Sequence, residues 1–293
     1  MTVIFLFIIA RMNFKSKNIA IICSDLEYFN ASICTLLFKY FKKQGFDIRI
    51  YLTYESESKE KEYVQQLINT SDTSGLVIFS CMSNPLFYVE FFKECCIPCV
   101  FVDRFLPYVD RCSFVTVDNY GGAYKLGKLL QEKGSKNIAC LSMLKDNKIS
   151  TIEDRINGFR DSHVGINNIN CFRVELEYTD IMSSIYQVLE EWSSNNIFPD
   201  AVFATNHLIM NGILKVLQNN KEWRVKFKDI LLSCFDNLPY YDWLNKPIIS
   251  IEQPINDIAF YTAGILHKTI LSPKSVNLNN IILPVKVIDR TII

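Results

Sequence analysis

The period of the hydrophobic pattern switches back and forth along this chain. From residue 18, "NIAIICS" is a short β-rich apolar run, "NASICTLLFKYFKKQG" is apolar at helical spacing with a glycine stop, and "FDIRIYLTY" is strand again. The cycle repeats as "KEKEYVQQLINTS" before "GLVIFS" and as "PLFYVEFFKECC" before "PCVFVD". Alternation of this length predicts a parallel sheet, because parallel neighbours need long crossovers and the crossover helices cover both faces.

A second set begins after residue 117. "GGAYKLGKLLQEKG" precedes "NIACLSM", "TIEDRINGFRDSH" precedes "CFRVELEY", "DIMSSIYQVLEEWSS" precedes "AVFATN", and "LIMNGILKVLQNN" precedes "DILLSCFDN". Two sets of similar size predict two sheets, not one long one. The tail, "PIISIEQPINDIAFYTAGILHKTILS" then "NNIILPVKVIDRTII", adds a helix and a closing strand pair, so the chain is expected to cross back between the two. The predicted fold class is therefore α/β, with two Rossmann-like lobes, each a parallel sheet flanked by helices, joined by crossover strands. The expected N-terminal lobe is 17–117 with about 255–281, and the C-terminal lobe is 118–254 with about 282–293, leaving 1–16 as the remnant of a hinge or leader. Such a pair forms a cleft, and closure of a cleft around a small molecule is its usual use.

Bulk numbers narrow the function. The length of 293 residues fits two lobes. Lys+Arg and Asp+Glu are both 31, so no overall basic field is present to hold a nucleic-acid backbone. Hydrophobic residues make up 49% and aromatic ones 13%, far from the composition of a disordered chain. Ten cysteines mostly sit inside apolar runs, as reduced buried thiols do, which favours the cytoplasm. "ECCIPCV" contains a CxxC at Cys96 and Cys99, but Pro98 and "CVFVD" make Cys99 the opening of a strand, so no metal or redox role is assigned. The apolar start "MTVIFLFIIARMNFKSKN" is too short to span a bilayer, has no positive charge ahead of the apolar run and shows no clear cleavage site.

Chemistry for catalysis is missing from the pattern. There is no GxSxG, HExxH or P-loop, and His163, His207 and His267 are scattered over helices or their starts. A non-enzyme with no cofactor is expected. The stretch "VTVDNYGGAYKLGKLL", residues 115–130, is more telling: a strand-like run meets a helix with almost no loop, Asp118 or Asn119 serving as N-cap and the glycines allowing close backbone approach.

"FVDR" at 101–104, "VTVDNYGGAYKLGKLLQEKGSKNIACL" at 115–141, "DRINGF" at 154–159, "AVFATN" at 201–206, "FDN" at 235–237 and "SIEQPI" at 250–255 occur in the order and spacing of the LacI/GalR family of bacterial transcription regulators. The chain resembles that family from about residue 8 to its end. The resemblance implies a periplasmic-binding-protein-like type I core, a homodimer, and a small-molecule effector, a mono- or disaccharide, held between the lobes. It implies that "VDN" is a crossover acting as a hinge. It places Arg155 and Asn206 on sugar hydroxyls, Asp236 as acceptor from a pair of hydroxyls, Asp103 on the cleft from the first lobe, and Gln253 on a second crossover. Thr151 and Asp180 fall at more variable contact positions, and Tyr28 and Phe29 lie in the loop after the first strand, where an aromatic meets the ligand.

Plainer roles stay open for several of these. Arg155 has Glu153 and Asp154 as helix neighbours, Asn206 is a good N-cap, Asp236 suits a turn, Asp103 has Arg104 beside it, and Tyr28 and Phe29 suit a core. Two departures from the family stand out. His207 replaces an acidic residue after Asn206, and no helix-turn-helix precedes the core; "IARMNFKSKNIAIICSDL" resembles the end of the hinge segment. DNA is thus expected as a partner only through a headpiece supplied by a longer gene product. The alternative class is an extracytoplasmic sugar-binding protein of a transporter, which would carry a cleavable signal peptide.

Overall fold

The computed structural model describes residues 17–70, 72–95, 97–104, 106, 109, 112–143, 150–165, 170–176, 180–195, 197–272 and 280–291. The leader assigned to 1–16 and the second cysteine of "ECC" lie outside these residues. The described residues fall into two compact units, one within Met1–Thr116 and Ile255–Leu283, the other within Val117–Pro254 and Pro284–Ile293.

The first unit is built on strands β1 (Asn18–Cys23), β2 (Asp47–Leu52), β3 (Gly75–Ile78), β4 (Cys99–Val102), β5 (Ser113–Val117) and β11 (Asn280–Leu283), in the order β11-β5-β4-β3-β1-β2. Pairs from β2 through β5 are parallel. β1, β3 and β4 are buried almost along their whole length, as strands covered on both faces must be, while the edge strand β2 keeps several positions exposed. Helices α1 (Tyr28–Lys43), α2 (Glu57–Thr70), α3 (Leu86–Glu94) and α9 (Ile255–Leu271) supply the connections.

The second unit repeats the scheme. Strands β6 (Asn137–Met143), β7 (Asn170–Leu176), β8 (Ala201–Ala204), β9 (Leu231–Cys234), β10 (Ile248–Glu252) and β12 (Lys286–Ile288) lie in the order β12-β10-β9-β8-β6-β7, parallel except that β12 runs antiparallel to β10. Helices α4 (Asn119–Glu132), α5 (Ser150–Asp161), α6 (Ile181–Ser194), α7 (His207–Asn219) and the short α8 (Lys221–Lys226) complete it. The expected closing strand pair is not a pair: β11 joins one sheet and β12 the other. Pro284, which has no N–H to give a ladder, stands between them.

In each sheet the first strand of the unit, β1 or β6, has its second strand on one side and its third on the other. The connections that follow those first and third strands therefore leave in opposite directions, which makes the carboxyl ends of the strands the topological switch point of each sheet. The turn after β5 is as tight as the sequence suggests. Asp118 caps α4 by accepting from the Gly121 N–H at 2.7 Å, and a Cβ on Gly122 would sit 2.5 Å from Val285 Cγ2. The glycine lets α4 start directly against the segment that leads into β12.

Candidate functional site

In the second unit, side chains converge at the carboxyl ends of β8, β9 and β10. Arg155 projects from α5, is only 5% exposed, and donates from Nε to Asn119 Oδ1 at 2.8 Å and from Nη1 to the Thr205 carbonyl at 3.0 Å. Its guanidinium carbon lies 4.0 Å from the centre of the Phe235 ring, a cation–π stack. These contacts use the planar fork of an arginine on both its edge and its face. The neighbours Glu153 and Asp154 form no ion pair with it among the described residues.

One residue beyond Phe235, Asp236 accepts three hydrogen bonds. The His207 main-chain N–H (2.8 Å) and Nδ1 (3.0 Å) both donate to Oδ2, and Gln253 Nε2 donates to Oδ1 at 2.9 Å. Burial raises the pKa of this carboxyl, but the hydrogen bonds from His207, its charge and that of Arg155 outweigh burial and hold it below the usual carboxylate value. Asp236 is therefore ionised at neutral pH. Gln253 Oε1 and Thr205 Oγ1, both buried, have no hydrogen-bond partner among the described residues, whereas buried polar groups normally have one, from protein, water or ligand.

The remaining expected residues are placed as follows. Asn206 caps α7, its Oδ1 accepting from the Ile209 N–H at 3.1 Å, and Thr151 is buried on α5. Asp180 is exposed and caps α6 by accepting from the Ser183 N–H at 3.0 Å; the Ser183 hydroxyl first, and then this main-chain bond, lower its pKa. In the first unit, Tyr28 opens α1 with φ +30° and is exposed, and Phe29 follows half-buried. Asp103, after β4, has φ +68°. That left-handed backbone is clamped on both sides, the N–H donating to the Val115 carbonyl at 2.9 Å and the carbonyl accepting from Thr116 Oγ1 at 2.6 Å. Arg104 is not Asp103's dedicated partner: it forms a two-pronged pair with Glu55, at 2.9 and 3.0 Å.

Asn119, Thr205 and Phe235 escaped the sequence reading as members of this cluster. The reading also made His207 a lost charge, whereas its ring and main chain are the principal partners of Asp236. No local spacing signals these contacts; only the sheet order brings residues 29 and 36 positions apart together. Among the described residues, no group of three or more His, Cys, Asp or Glu is arranged to hold a metal ion, and no helix is long and apolar enough to cross a membrane.

Residues 16–278 match the model of periplasmic binding proteins and the sugar binding domain of the LacI family. The chain belongs to this family. Among relatives of the LacI-family domain, a probable HTH-type transcriptional regulator EndR of Paenibacillus polymyxa is 28% identical over 73% of the chain and 61% of its own length. The HTH-type transcriptional regulator KdgR of Bacillus subtilis is 25% identical over 83% of the chain and 71% of its own. The chain thus spans about three-fifths to seven-tenths of these relatives. The Cra regulator of Pseudomonas putida, solved with fructose 1-phosphate, superposes with TM-score 0.81 at 19% identity, covering 94% of this chain and 99% of its own. A LacI-family regulator of Enterococcus faecium, solved with ribose, superposes with TM-score 0.77 at 18% identity, covering 93% and 97%. The fold is that of the type I periplasmic-binding-protein-like proteins.

Proposed function

We propose that this chain is the effector-binding core of a LacI-family transcription regulator and that its effector is a mono- or disaccharide held between the two lobes. The observation that carries the reading is the cluster at the ends of β8, β9 and β10. An arginine stacked on Phe235, an ionised Asp236 and a buried Gln253 whose Oε1 has no partner among the described residues form a rigid set of donors and acceptors. Sugar hydroxyls, which both donate and accept, match such a set.

Asp103, Tyr28 and Phe29 would meet the effector from the first lobe, and Thr151, Arg155, Asp180, Asn206, Asp236 and Gln253 from the second. Asn206 serves as cap and ligand together, because capping uses Oδ1 and leaves the amide hydrogens for a hydroxyl. A sugar that binds one lobe arrangement better than another shifts the population toward it by its difference in affinity. A homodimer would pass that shift to a DNA-binding headpiece carried by a longer product, in the cytoplasm. The role is sensing rather than catalysis, in keeping with the transcription regulators that the chain resembles.

Calorimetric titration with a panel of D-aldoses and common disaccharides tests the reading. The expected result is saturable one-site binding of at least one sugar, weakened about tenfold or more by Asn206→Ala. Binding undiminished in that variant removes Asn206 from the site, and no binding of any sugar rejects the effector class.

A further inference from the structure

The hydrogen bonds around Asp236 limit what it has left to offer a ligand. An ionised carboxylate presents about four lone-pair sites, two on each oxygen. Oδ2 already accepts from the His207 main-chain N–H and from Nδ1, and Oδ1 accepts from Gln253 Nε2. Oδ2 is full, and one site remains on Oδ1.

Two assignments follow from the carboxylate having no proton to give. His207 carries a hydrogen on Nδ1 whether the ring is neutral or charged, since an unprotonated nitrogen 3.0 Å from Oδ2 would face it lone pair to lone pair. Gln253 turns its NH2 toward Asp236, which aims Oε1 the other way, into a buried position where it has no partner among the described residues.

We infer that His207 is a specificity-determining residue: by filling Oδ2 it reduces Asp236 to a single acceptor, and the second acceptor at this end of the site becomes Gln253 Oε1. Resting on the proposed sugar site, this predicts an effector gripped by two hydroxyls on two different residues. A vicinal hydroxyl pair chelated across both oxygens of one carboxylate has no place here. His207 acts through Asp236, so its removal should alter the choice among epimers, not just the strength of binding.

Two experiments decide the point. The first needs no ligand: long-range proton–nitrogen NMR correlation of the whole chain at neutral pH should show His207 protonated on Nδ1, with that preference lost in Asp236→Ala. A bare Nδ1 in the wild type overturns the inference, whatever the effector proves to be. The second is titration of wild type and His207→Ala with the complete set of D-aldopentoses and D-aldohexoses. The variant keeps the main-chain N–H but frees one site on Oδ2, and its affinity ratio between epimers differing in a vicinal cis pair should move by about tenfold. A uniform loss that leaves the ratios within about threefold marks His207 as merely structural and overturns the inference. If no sugar binds the wild type, the proposed function fails, and the NMR result alone still decides whether His207 fills Oδ2.

Discussion

Arg155 Nε donates to Asn119 Oδ1 at 2.8 Å, linking α5 to the residue that starts α4 just after the chain has entered the second unit. Asn119 in turn donates from Nδ2 to the Val117 carbonyl at 3.1 Å. The arginine that the resemblance assigns to a ligand therefore also fixes the exit of a crossover. Lysine has no flat face to stack on Phe235 and no fork to reach both Asn119 Oδ1 and the Thr205 carbonyl. Arg155→Lys should lower stability by about 1–3 kcal/mol, read from the urea midpoint. An unchanged midpoint would make Arg155 dispensable to the fold.

Glu60 is the corresponding tie in the first unit. Fully buried, it accepts from Ser80 Oγ and Tyr88 Oη on Oε1 and from the Cys81 N–H on Oε2, each at 2.6 Å. These bonds hold the turn after β3, at the carboxyl edge of the sheet. Glu60→Gln keeps the volume but presents an NH2 where donors already converge, and should cost about 2–3 kcal/mol in chemical denaturation. A loss below half a unit of that scale would mean that the turn is held by something else.

Two helical glycines should respond in opposite directions to alanine. A Cβ on Gly158 would lie 2.1 Å from the Tyr120 carbonyl oxygen, so α5 rests directly on the start of α4, whereas none of the described residues comes within 4 Å of a Cβ on Gly264. Gly158→Ala should lose about 1–3 kcal/mol through overpacking. Gly264→Ala should gain about 0.5–1 kcal/mol by raising helix propensity in α9. Thermal unfolding of the two variants checks the pair.

His163 supplies a pH dependence with a definite sign. Burial, first, and the nearby Lys128 push its pKa below the ordinary histidine value, against the bond from Nδ1 to the Phe159 carbonyl, which raises it. A folded pKa below the unfolded value of about 6.5 means that its contribution is complete above that pH and is lost as pH falls through the folded value. The melting temperature should therefore decline between about pH 7 and pH 5, and less so in His163→Gln. Equal slopes in the two proteins would contradict this.

Sheet membership was legible in the sequence because the period alternates cleanly: "NIAIIC", "GLVI", "CVFV", "AVFA" and "LLSC" are each too short and too continuously apolar to be helices. Short elements were not. α8 is six residues, started by Asn220 accepting from the Glu222 and Trp223 N–H groups and anchored by buried Trp223, and carries no periodic signal of its own. β11 and β12 read as one pair because nothing local tells a strand which sheet it will join. In the cluster, the resemblance singled out Arg155, Asn206, Asp236 and Gln253 through their motifs as implied ligand contacts, but it said nothing of the contacts with Asn119, Phe235 and His207, since those exist only once the strand order is fixed.

Hydrogen exchange of the chain, free and saturated with a sugar that binds in the titration panel, decides whether the cluster at the ends of β8, β9 and β10 holds the ligand. Exchange should slow most at the N-terminus of α7, from His207 to Met210, at Phe235–Asn237 and at Glu252–Gln253. Saturation that leaves those amides unchanged while protecting other segments would place the ligand elsewhere and contradict the assignment.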